Sequence, residues 1–123
     1  MAQKLPPELE KLIIRYQQIE SQLASIVTQK SVVTSQMREV ERALSILQNL
    51  EKDAVIYKST GFILVKVKKE DVIKELEDKK EELSIRLTSL ERMESTLKKQ
   101  LEEVKSQIDK YRTSMVGMGG KAG

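Results

Sequence analysis

The sequence predicts a mainly α fold: a long antiparallel coiled-coil hairpin with one central β-hairpin that assembles into an intersubunit β-barrel. Two long runs of apolar residues spaced three and four apart predict the helices. Between them, AVIYKSTGFILVKV gathers β-branched and aromatic residues around a single Gly and predicts the hairpin. Composition agrees, since 33% of the 123 residues are charged and only one Phe and three Tyr are aromatic, a balance suited to long solvated helices.

The first helix is expected over about 7–51. Pro6 and Pro7 suit the start of a helix, where a missing N–H is tolerated. Its seam runs Leu9, Leu12, Tyr16, Ile19, Leu23, Ile26, Lys30, Val33, Met37, Val40, Leu44 and Leu47, with Lys30 the one polar interruption. The β-hairpin is expected over about 54–67, with strands Ala54 to Lys58 and Phe62 to Val67 and a turn at Ser59, Thr60 and Gly61. The second helix is expected over about 70–116. Its seam runs Ile73, Leu76, Lys80, Leu83, Leu87, Leu90, Glu94, Leu97, Leu101, Val104, Ile108, Tyr111, Met115 and Met118. GMGGKAG then predicts a flexible tail over 117–123. At this length the chain reads as a single domain, 1–123.

The arms are nearly equal and the connector is short, so they fold back on each other. Two antiparallel registers are plausible, with paired numbers totalling about 120 or about 127; in either, Lys30 and Glu94 fall in adjacent layers and an ion pair there can fix register.

Strand alternation puts Val55 and Tyr57 opposite Ile56, and Phe62 and Leu64 opposite Ile63, Val65 and Val67, so both hairpin faces are apolar. An isolated two-stranded hairpin is marginal in water and leaves two unpaired edges. Burying these eight side chains is worth on the order of 10 to 20 kcal/mol, and the seam uses most of the chain's other apolar residues. Other subunits are therefore expected to cover Val55, Ile56, Tyr57, Phe62, Ile63, Leu64, Val65 and Val67, by edge-to-edge pairing into a closed body. The arms' far ends also carry surplus apolar residues: Leu5, Ile13 and Ile14 flank the seam residues Leu9 and Leu12 near the N-terminus, and Met115, Val116 and Met118 cluster beyond Tyr111 near the C-terminus, while Leu9, Leu12 and Tyr111 taken alone read as finishing the seam. Ile14 falls where a coiled coil normally places a polar residue. Flexible Met side chains repack against differently shaped partners.

No Cys and no His are present, which excludes thiol nucleophiles, imidazole bases and the usual zinc ligand sets. No enzyme, metal site or cofactor is expected. The net charge of +3 is spread over interleaved acids and bases, unlike the basic stripe of a nucleic-acid binder. No apolar window reaches membrane-spanning length, and a cytoplasmic location is expected.

The order LPPEL, heptads, DAVIYKSTGFILVKV, then EDVIKELEDKKEELSIRL resembles the β-type subunit of prefoldin across nearly the whole chain. The specific part is the hairpin: Ile-Tyr-Lys, two residues, Gly, then an apolar run ending Val-Lys. The resemblance implies an archaeal-type hexamer of two α-type and four β-type subunits joined through hairpin barrels. It implies an ATP-independent holdase chaperone that grips unfolded proteins at its coiled-coil tips and passes them to a group II chaperonin. By position, those tips comprise Leu5, Leu9, Leu12, Ile13, Ile14, Tyr111, Met115, Val116 and Met118. One hairpin in place of two marks the β type. The rival reading is a structural coiled-coil scaffold with one dedicated partner.

Overall fold

The computed structural model describes residues 5–121, with side chains described over 5–115. The element order is α1 (Pro7–Asn49), β1 (Ile56–Ser59), β2 (Leu64–Val67) and α2 (Lys69–Lys121). Helix–hairpin–helix is thus the fold, as the periodicity predicts.

Helix α1 opens where the Pro6 carbonyl accepts a hydrogen bond from Glu10 N–H at 3.0 Å. Pro7 therefore occupies the first helical position, where its missing N–H costs nothing, and Glu8 and Glu10 place negative charge at the positive end of the helix dipole. Helix α2 opens in the same way on the Lys68 carbonyl, which accepts from Val72 N–H, with Glu70 and Asp71 in the first turn.

The boundaries differ from the sequence reading for local reasons. Helix α1 ends at Asn49, two residues short of 51, where Leu50 N–H donates to the Leu47 carbonyl at 3.3 Å and tightens the last turn. Ala54 N–H donates to the Glu51 carbonyl at 3.0 Å in a turn, so β1 starts at Ile56 and not at Ala54. Phe62 belongs to the turn, and β2 starts at Leu64. Helix α2 runs to Lys121, past the end near 116 that GMGGKAG predicts. Each Gly costs about 1 kcal/mol relative to Ala in a helix, yet extending an existing helix needs no new nucleus.

The strands pair antiparallel in the register Ile56↔Val67, Tyr57↔Lys66, Lys58↔Val65 and Ser59↔Leu64. Thr60 N–H donates to the Ile63 carbonyl at 2.9 Å, leaving Gly61 and Phe62 at the centre of the turn. Gly61 has φ of 95° while no non-glycine among the described residues has positive φ, the pattern of a type II′ hairpin turn. Its twist matches that of the strands.

Packing divides the chain into two compact units. The first comprises the described residues of Met1–Gln29 and Leu90–Gly123. Leu9, Ile19, Val104 and Ile108 form its buried cluster, with Leu12, Ile13, Tyr16, Leu97, Leu101 and Tyr111 packed around it. Here the Tyr111 hydroxyl donates to Glu8 Oε2 at 3.4 Å, and Glu94 pairs with Lys98 on its own helix at 3.9 Å.

The second unit is Lys30–Ser89. Val33, Val40, Leu44, Leu47 and Leu83 are its buried apolar residues. Lys80, a polar seam residue, pairs with Glu41 at 3.8 Å, and Lys69 Nζ donates to the Leu50 carbonyl at 3.4 Å. Within each unit the helices are antiparallel, and the pairs Glu8 with Tyr111, Glu41 with Lys80 and Leu50 with Lys69 all follow the register totalling about 120. Every buried apolar residue among those described belongs to the two sequence seams.

Candidate functional site

The residues expected to bind partners fall on two surfaces. The first lies in the unit that holds both helix ends. Leu9 is 3% exposed and closes the cluster, so it serves packing. Leu12, Ile13 and Tyr111 are half-buried against that cluster, with one edge open. Leu5, Ile14 and Met115 are exposed, Ile14 at 54%. The side chains of Val116 and Met118, also expected here, lie outside the described residues.

Four of these residues line two grooves. Leu12, Tyr111 and Met115 line an open cavity of about 510 Å³ with Gln107, Lys110 and Ser114. Ile13 lines another of about 370 Å³ with Tyr16, Ile108 and the polar residues Gln17, Glu20, Lys105, Asp109 and Arg112. Each groove thus has an apolar floor and a polar or charged rim, which accepts an apolar segment while keeping its flanks wet. Tyr16 enters only through the structure, because on the seam it reads as packing. The rim residues likewise look like ordinary solvated helix positions in the sequence.

The second surface is the hairpin. Ile56 and Val67, a cross-strand pair, are half-buried. Their own unit therefore covers part of one face, contrary to the expectation that the chain cannot cover the hairpin at all. Tyr57 is 59% and Leu64 70% exposed, while Phe62 stands fully in solvent at the turn. Val55, Ile63 and Val65 are exposed as well. Six of the eight residues expected to meet other subunits are thus uncovered in the chain by itself, on a two-stranded sheet with both edges open. Such a surface is costly to leave in water. Lys58 Nζ pairs with Glu75 Oε1 of α2 at 2.5 Å, holding the hairpin against the helix.

Among the described residues no cluster of His, Cys, Asp or Glu gathers as a metal site, and no helix is long and apolar enough to cross a membrane.

Known proteins share this architecture. The family model described as prefoldin subunit matches residues 10–114. The prefoldin subunit beta of Saccharolobus islandicus (strain L.S.2.15 / Lassen #1) is 39% identical over 123 residues, spanning 100% of this chain and 98% of that protein. That of Archaeoglobus fulgidus is 39% identical over 114 residues, spanning 93% of this chain and 98% of its own. The crystal structure of the prefoldin beta subunit from Thermococcus strain KS-1 superposes with a TM-score of 0.82 at 34% identity, covering 89% of this chain and 96% of that one. With the helix–hairpin–helix order, the hairpin motif and these full-length likenesses in agreement, the chain belongs to the prefoldin subunit family.

Proposed function

We propose that this subunit is an ATP-independent holdase: it binds unfolded proteins at the helix-end grooves and delivers them to a group II chaperonin. A chaperone-type role follows from the family. The observation that carries the finer reading is that exposed Ile14 and Met115 share one unit with grooves lined by Leu12, Ile13 and Tyr111. An unfolded chain offers apolar side chains at irregular spacing. A shallow apolar floor with a flexible Met beside it binds such segments without selecting a sequence. The carried-over set is Leu5, Leu12, Ile13, Ile14, Tyr111, Met115, Val116 and Met118, with Leu9 as the packing residue beneath them.

Assembly is proposed to run through the hairpin. Val55, Tyr57, Phe62, Ile63, Leu64 and Val65 would be covered by strands of neighbouring subunits closing into a barrel, in a cytoplasmic hexamer of two α-type and four β-type chains. This supplies what the isolated hairpin lacks, partners for both edges and cover for its exposed side chains. The full chain, 1–123, then acts as one prefoldin-like domain.

The test is light scattering from a chemically unfolded, unrelated protein diluted into buffer with the assembled complex. Suppression of scattering that is the same with and without ATP supports the holdase. Dependence on ATP, or no suppression, contradicts it and favours a scaffold with one dedicated partner.

A further inference from the structure

Both hairpin faces carry apolar side chains, which raises the question of what holds one of them outward. The register puts Ile56, Lys58, Val65 and Val67 on one face and Tyr57, Ser59, Leu64 and Lys66 on the other. Ile56 and Val67 are half-buried, so the first face is turned to the helices; Tyr57 and Leu64 mark the second as the presented one. Turning the hairpin over would bring Tyr57 and Lys66, the next cross-strand pair, toward the helices in place of Ile56 and Val67. Lys58 is the single charged residue on the inward face, and its Nζ reaches Glu75 Oε1 at 2.5 Å, 17 residues away on α2. Were the hairpin turned over, Lys58 would point to solvent and Lys66 would be the inward cation.

We infer that Lys58 and Glu75 act as a latch that selects the face the hairpin presents, so that Tyr57 and Leu64 are available to the neighbouring subunit. The pair fixes orientation more than stability: both groups are about half-exposed, and an exposed ion pair contributes little to a fold. The importance of the latch for assembly rests on the proposed hairpin interface; the selection of a face does not.

The experiment combines charge reversal with a position reporter. In the dilute full chain, single Trp reporters are introduced as Tyr57→Trp or Val67→Trp, there being no native Trp. Acrylamide quenching is compared in four backgrounds: native, Lys58→Glu, Glu75→Lys and both reversals together. The native background should quench the Tyr57→Trp reporter more strongly than the Val67→Trp reporter. Either single reversal should shrink that contrast by about twofold or more, and the double reversal should restore it. An unchanged contrast in the single variants overturns the latch. A contrast lost in the singles and not restored in the double also overturns it, since the effect is then local damage. Assembly with an α-type subunit is measured in parallel without reporters. If the latch behaves as expected and the single reversals assemble normally, the hairpin interface fails while the latch stands. If both hold, the singles should need about three to ten times more protein for half-assembly, with the double recovering.

Discussion

The Tyr111 hydroxyl of α2 donates to Glu8 Oε2 of α1 at 3.4 Å, joining the first turn of one helix to the late turns of the other. The bond is long and exposed, so the ring contributes more than the hydroxyl does. Tyr111→Phe should cost less than about 1 kcal/mol in urea unfolding. Tyr111→Ala should cost about 2 kcal/mol, less than a fully buried aromatic, and should open the Leu12 and Met115 groove. Equal costs for the two would show that the hydrogen bond, and not the ring, holds the helix ends.

Val33 is 1% exposed and is the most fully enclosed residue among those described. Val33→Ala leaves a void that the close-packed seam cannot collapse, and should cost about 2 kcal/mol in thermal or urea unfolding. A cost under about 0.5 kcal/mol would mean that the seam repacks freely there.

Gly61 has φ of 95°, and a Cβ added there meets nothing within 4 Å. Gly61→Ala therefore tests backbone strain without steric crowding, at about 1 to 2 kcal/mol. The loss should appear as faster amide exchange across β1 and β2, with helical circular dichroism unchanged. Exchange like that of the native chain would show that the turn accepts another geometry.

Tyr57→Asp and Leu64→Asp place a charge on the presented hairpin face. In the isolated chain both residues are exposed, so unfolding should shift by no more than about 0.5 kcal/mol. In the proposed barrel the same charge would be buried, and multi-angle light scattering should show loss of the complex. A retained hexamer-scale mass would place the interface elsewhere.

The seams were legible because burial in a helix pair repeats every three or four residues, and each buried side chain from Leu9 to Ile108 falls on that repeat. The hairpin's existence was legible from β-branched density, but its ends were not. Ala54 lies closer to the strand signal than to the turn that takes its N–H, and Phe62 has high strand propensity yet sits beside the one residue that can adopt positive φ. The Lys58–Glu75 pair could not be read at all, since Lys58 looks like an ordinary outward strand residue until the fold brings Glu75 to it. At the helix ends, the repeat separated the surplus residue Ile14 from the seam residue Leu9, which is buried in the cluster, but the grooves lined by Leu12 and Ile13 depend on packing between the helices and could not be read.

The most direct test of the holdase reading uses the paired substitutions Ile14→Ser and Met115→Ser, both at exposed positions, so that the buried cluster is spared. The native and substituted chains are each assembled with an α-type subunit, checked for equal mass and melting temperature, and titrated against a fluorescently labelled unfolded protein without ATP. Binding weakened by about tenfold or more in an otherwise intact complex is the predicted result. Equal binding by the two complexes would contradict it, and would remove the helix ends as the client site.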